Sequence, residues 1–115
     1  MAASYTDATI RFKALAHPVR LQILDMLRSG ELCVCHMETA LDKRQAYISQ
    51  QLMALRDAGL VESRKDGLSV FYRLIDEVVR DVLEATLGPV EDHAPDRLEA
   101  CPCPHCAEAV SEAVT

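Results

Sequence analysis

The sequence predicts a mainly α domain with one β-hairpin wing: a winged helix-turn-helix in the order helix, helix, helix, helix, strand, strand, helix, working as a dimer. Three observations lead there. Apolar residues recur at helical spacing in several short segments that end at glycines. One Asp-Gly pair, Asp66-Gly67, sits between two strand-like runs and signals a hairpin turn. That hairpin directly follows two short helical segments joined by Asp42-Lys43-Arg44, as a wing follows a helix-turn-helix.

The first helix covers residues 6–16, with Ile10, Ala14 and Leu15 as its apolar positions. Pro18 suits the first turn of the second helix, where a missing N–H costs nothing, His17 stands at its N-cap, and Gly30 suits its end. Leu21, Leu24 and Leu27, with Ile23 beside them, form its core side. Residues 34–41 make a short third helix. Residues 45–59 make a fourth, in which Ile48, Leu52 and Leu55 recur at i, i+4 and i+7. Its opposite face carries Gln45, Tyr47, Ser49, Gln50, Gln51 and Ala54, polar but almost uncharged. A solvated face is more often Lys and Glu, whereas amides and hydroxyls offer hydrogen bonds to base edges in a major groove.

Residues 61–64 and 68–74 are the two strands, in which Val70, Tyr72 and Leu74 alternate with Ser69, Phe71 and Arg73. Arg64 and Lys65 bring positive charge to the tip, where a wing meets phosphate. A lone hairpin is marginal in water, so this one must pack on helices. Asp76 caps a fifth helix that runs to about Leu87, before Gly88-Pro89. Its stripe of Val78, Val79, Val82, Leu83 and Leu87 is broad enough to serve the core and, with the first helix, a dimer interface.

A chain of 115 residues, half of them apolar, fits one small domain with a packed core. Such a domain buries its core less completely than a large one, so self-association helps it. Residues 1–88 are expected to form the winged helix-turn-helix DNA-binding and dimerisation domain, and residues 89–115 an acidic, Cys- and Pro-containing tail. The net charge of −6 is unevenly placed: residues 1–75 hold ten Lys/Arg against eight Asp/Glu, and residues 76–115 two against ten. An acidic total therefore leaves room for a basic contact patch. No apolar run approaches the ~18 residues of a membrane span, and the first residues lack a signal peptide's layout. The expectation is a cytoplasmic protein with no membrane partner. Five cysteines in a reducing compartment point to metal binding or redox chemistry rather than structural disulfides. No βαβ pattern surrounds Cys103-x-x-Cys106, and neither an enzyme nor an organic cofactor is expected.

Four segments, "LAHPVRLQILDML", "ELCVC", "QAYISQQLMALRDAGLV" and "RKDGLSVFYRL", together resemble the ArsR/SmtB family of bacterial metal-responsive repressors, over residues 10–87. The resemblance implies a homodimer that regulates transcription: it binds a palindromic operator in double-stranded DNA and releases it when a metal or metalloid binds. Carried across residue by residue, Gln45, Ala46, Tyr47, Ser49 and Gln50 would read bases, and Lys43, Arg44, Arg64 and Lys65 would hold phosphates. Ala46 departs from the serine or threonine often found there, which removes one hydrogen bond.

Of the family's sensing sites, the one on the last helix needs histidine, and "DEVVRDVLEATL" has none. The thiolate site at the third helix matches Cys33 and Cys35. On a regular helix residues i and i+2 point about 200° apart, so these sulfurs share an ion only if the helix begins late or is distorted. A helix start also favours the thiolate. Where the arsenic-sensing pattern often has a further cysteine, this chain has Met37, and no cysteine precedes Cys33. The spare thiols are Cys101, Cys103 and Cys106, kept extended by Pro102 and Pro104. They are expected to fold back, in cis or across the dimer, onto Cys33 and Cys35. Sulfur ligands select As(III), Cd(II), Pb(II), Hg(II) or Zn(II) as inducer. Competing readings stay open: a thiol redox or persulfide switch on the same scaffold, a separate tail zinc site with His105, an unliganded tail, Cys33 as a small buried apolar residue, and His36 as an extra ligand.

Overall fold

The computed structural model describes residues 4–90. The expectations placed on Cys101, Cys103, Cys106 and His105 lie outside the described residues. Helices α1 (Tyr5–Leu15) and α2 (Pro18–Leu27) lead into strand β1 (Leu32–Cys33). Helices α3 (Val34–Leu41) and α4 (Gln45–Asp57) follow, then strands β2 (Val61–Asp66) and β3 (Ser69–Leu74), and finally α5 (Glu77–Leu87).

Capping explains most boundaries. Ser4 accepts a hydrogen bond from the Asp7 amide, His17 Nδ1 from that of Val19 at 3.2 Å, and Asp76 from that of Val79 at 3.0 Å. Each satisfies a donor that a helix start leaves unpaired. The predicted stop of α4 at Gly59 is a complete C-terminal cap: Gly59 has φ +80°, its N–H donates to Arg56, and the Leu60 N–H reaches back to Leu55. Leu60 and Leu55 are both fully buried, the apolar contact that accompanies this cap. Helix α2 stops earlier than predicted: Arg28 is its C-cap, and Gly30 lies two residues beyond.

The core gathers Ile23, Leu24 and Leu27 from α2, Met37 from α3, Ile48, Leu52 and Leu55 from α4, and Val79 and Leu83 from α5. Several predicted apolar positions stay outside it. Ile10, Val78 and Leu87 are exposed on α1 and α5. Gln51, expected on the polar face of α4, is buried, and Phe71 is buried where plain alternation gave no reason for it.

The sheet has three strands, ordered β1-β3-β2 and antiparallel. Strand β1 was not expected, because two residues carry no periodicity. It pairs Leu32 with Tyr72 and Cys33 with Phe71. The hairpin turn is displaced by one residue from the expectation. Asp66 pairs with Ser69, so Gly67 and Leu68 are the central residues, and only Gly67 takes a positive φ, +62°. That matches the hairpin turn with glycine in its first central position.

Candidate nucleic-acid interface and thiol pair

Helix α4 is seated by Ile48, Gln51, Leu52 and Leu55, which are buried. Gln45, Ala46 and Gln50 are exposed, Ser49 is half-buried, and Tyr47 is half-buried with its side chain packed against the core. Tyr47 is therefore partly committed to packing. Gln51 accepts a hydrogen bond from Arg20 Nε at 2.9 Å, the partner a buried amide requires. Its place was legible in hindsight, since it falls at i+3 in the buried series 48, 51, 52, 55. Lys43 and Arg44 are exposed just ahead of α4, and Arg44, its N-cap, makes no side-chain capping bond. Two cations beside uncapped N–H groups give this helix start an anion-attracting character.

The wing is arranged differently. Arg64 Nε donates to both carboxylate oxygens of Glu31 at 2.9 Å, and Nη2 to Oε1 at 2.6 Å. The guanidinium also lies 4.6 Å from the centre of the Phe71 ring, a cation–π distance. The hydrogen bond to Glu31, opposed by slight desolvation and aided by the charges of Glu31 and Asp66, raises the Arg64 pKa above its ordinary value. Arg64 thus sits three residues before Gly67 rather than at the tip, already bound to a carboxylate that sequence reading missed. Arg73 pairs with Glu62 directly across the strands, while Lys65 is exposed and Leu68 is fully exposed at the tip.

Cys33 ends β1 and is the N-cap of α3, with extended backbone (φ −82°, ψ 158°). The helix therefore starts at Val34, and Cys33 stands outside it. That late start removes the angular obstacle to bringing residues i and i+2 together. The two sulfurs are joined as a disulfide, with Cα atoms 5.4 Å apart. Cys33 Sγ accepts a hydrogen bond from the His36 amide at 3.2 Å, a position that also suits a thiolate. Cys33 and His36 are buried, whereas Cys35 is half-buried. Once reduced, two thiolates at one point are soft donors of the kind a thiophilic ion takes. Among the described residues no group of three or more His, Cys, Asp or Glu gathers that could hold a metal ion. Met37 is fully buried in the core.

Asp76 on α5 is committed elsewhere. It caps the helix and receives Arg11 Nε at 2.9 Å. Burial pushes its carboxyl up, but the Arg11 hydrogen bond, the Val79 amide and the Arg11 charge outweigh burial and hold it below its ordinary value. The exposed apolar residues Tyr5, Ile10 and Phe12 of α1, with Val78 and Leu87 of α5, lie on the terminal helices.

Residues 17–63 match a family model described as "Bacterial regulatory protein, arsR family". The chain is 42% identical over 80 residues to the biofilm growth-associated repressor of Agrobacterium fabrum, covering 70% of this chain and 68% of that one. To the arsenical resistance operon repressor of Escherichia coli it is 52% identical over 64 residues, 55% of each chain. Among solved structures, HlyU from Vibrio cholerae superposes with a TM-score of 0.70 at 38% identity, covering 75% of this chain and 94% of that one. The homodimeric winged helix-turn-helix DNA-binding domain Mb0332 of Mycobacterium bovis superposes with a TM-score of 0.66 at 34% identity, covering 76% and 87%. No helix of the described residues is long and apolar enough to cross a membrane.

Proposed function

Because the chain belongs to the ArsR family of bacterial regulatory proteins, we propose that it is a homodimeric transcriptional repressor that releases its operator when a thiophilic ion binds Cys33 and Cys35. The observation that carries the reading is the meeting of these two sulfurs at the junction of β1 and α3.

In this reading residues 1–88 form the DNA-binding and dimerisation unit, and α4 enters the major groove. Gln45, Ser49 and Gln50 offer hydrogen bonds to base edges, Tyr47 and Ala46 add apolar contact, and Lys43, Arg44, Lys65 and Arg64 hold phosphates. The exposed apolar residues of α1 and α5 pair with those of a second copy, which places two reading helices about one DNA turn, ~34 Å, apart.

Cys33 and Cys35 hold the ion between the last residue of β1 and the first turn of α3. Helix α3 packs directly on α4 through the shared core around Met37 and Ile48. A chelate that draws the start of α3 out of place therefore moves the reading helix. A coupling of about 1–3 kcal/mol is enough to loosen the operator by one to two orders of magnitude. Cys101, Cys103 and Cys106 in the tail, residues 89–115, supply the remaining thiolates in cis or across the dimer. Three sulfurs suit As(III) or Pb(II), and four suit Cd(II) or Zn(II). The test is a titration of operator release with each ion in turn, read beside the sulfur coordination number from X-ray absorption. Truncation after Asp92 should lower the sulfur number; an unchanged number removes the tail from the site.

A second reading is favoured by one observation, that Cys33 and Cys35 are joined as a disulfide. A peroxide could take two electrons and two protons from the dithiol, leaving the disulfide and two waters or their alcohol equivalents, and the closed pair could no longer chelate. A persulfide donor passes its outer sulfur to one thiolate and leaves as its thiol, and the second thiolate then displaces hydrosulfide to close the same disulfide. Release by peroxide or persulfide but by no ion, starting from reduced protein, would select this reading.

A further inference from the structure

We infer that Glu31 stands in for operator phosphate: it holds Arg64 back from DNA and ties the wing to the thiol pair. The inference rests on the reading of the chain as a DNA binder whose wing meets phosphate.

The contact geometry is the first support. Arg64 presents Nε to both Glu31 oxygens and Nη2 to one of them, at 2.6–2.9 Å. A carboxylate and a phosphate satisfy the guanidinium fork in the same way, so full engagement with one excludes the other. Asp66 lies 3.9 Å away and adds attraction without a hydrogen bond, and Glu62 is taken by Arg73, so Glu31 is the principal partner.

Topology is the second. Glu31 immediately precedes β1, Arg64 is on β2, and β3 runs between them. The Arg64 side chain therefore spans the whole sheet, crossing the Phe71 ring.

Register is the third. Cys33 pairs with Phe71, and Phe71 with Arg64, in one row across three strands. Glu31 stands two residues before Cys33, immediately ahead of β1, and its carboxylate reaches this row at Arg64. A displacement at Cys33 and Cys35 thus carries Glu31 with it. The side chains of Arg64 and Glu31 are 53% and 29% exposed, so phosphate can take the fork without opening the core. In the operator complex Arg64 passes from Glu31 to phosphate. Release returns it to Glu31.

The test measures affinity of the full-length chain, across a series of salt concentrations, for a duplex that the chain itself selects from a random-sequence pool. Glu31→Gln should bind about three- to fivefold tighter, the worth of an exposed ion pair. Its salt dependence should steepen by about one released ion, because no Glu31 carboxylate is left to take up a cation when Arg64 moves to phosphate. Glu31→Asp should stay near wild type. In an Arg64→Ala background Glu31→Gln should bring no gain, and Cd(II) alone should release the Glu31→Gln complex less completely than the wild-type one. A gain that persists without Arg64 would reflect only lost negative charge and overturns the inference. So does a Glu31→Gln variant of unchanged affinity and slope beside a weakened Arg64→Ala; the DNA reading then stands. An Arg64→Ala variant that binds like wild type overturns the wing contact and the inference together. A chain that selects no duplex overturns the DNA reading itself.

Discussion

The start of α4 and the wing are both basic, yet they are built in opposite ways. Lys43 and Arg44 are exposed, with no salt bridge at either among the described residues, ahead of a helix held from below by fully buried Ile48, Leu52 and Leu55. Arg64 and Arg73 are each occupied by a carboxylate, on a hairpin whose β2 keeps only Val61 buried. One region has fixed position and available charge. The other is largely exposed, with its charge already paired. In the proposed reading α4 is kept ready for DNA and the grip is modulated through the sheet, where Cys33 also lies.

The sharpest way to break that contrast is to remove the seat of α4. Leu52→Ala should lower stability by about 2–5 kcal/mol, the cost of a large-to-small change in a packed core, measured by denaturant unfolding. A loss below about 1 kcal/mol would mean that α4 is not held as described. Next in size is Arg20→Ala, which strips the buried Gln51 of its donor and should cost about 1–3 kcal/mol.

The start of α4 and the wing should then differ in DNA binding. Lys43→Ala should weaken binding for all sequences alike and flatten the salt slope by about 1. Arg64→Ala should do so less, because the wild-type residue must first leave Glu31. Equal effects would erase the distinction between the two regions.

The smallest expected effect lies at the start of α5. Asp76→Asn should cost about 0.5–1 kcal/mol near neutral pH, because the amide oxygen still caps Val79 but the charge facing Arg11 and the helix start is lost. Asp76 is held below its ordinary value, so its contribution is present above the unfolded carboxylate's pKa of about 3.9 and fades as pH falls through the lower folded value. The variant and the wild type should converge in stability below that window. A gap that persists unchanged into strong acid would show that the carboxylate charge is not what matters.

Helix α5 was legible because its cap and apolar stripe agree, with Asp76 capping as expected; α3 is observed over the predicted Val34–Leu41, but its cap, Cys33, was legible as a metal ligand and not as a cap. Strand β1 was not, because a two-residue strand is made by its partners β3 and α3 rather than by its own pattern. The same limit hid Glu31, whose significance comes from a residue 33 positions away. The bond between Arg20 and Gln51 was hidden in the same way. The thiol geometry was half legible. The sequence posed the difficulty of i and i+2 on one helix, and the local backbone resolves it by leaving Cys33 in the strand.

The most direct trial of the thiol pair is operator release by the reduced dimer carrying Cys33→Ser and Cys35→Ser, titrated with As(III), Cd(II), Pb(II), Hg(II) and Zn(II) beside the wild type. We expect the variant to bind the same duplex with unchanged affinity and to hold it at ion concentrations that free the wild type. If it lets go at the same concentration of the same ion, the sulfurs at the head of α3 are not the sensor.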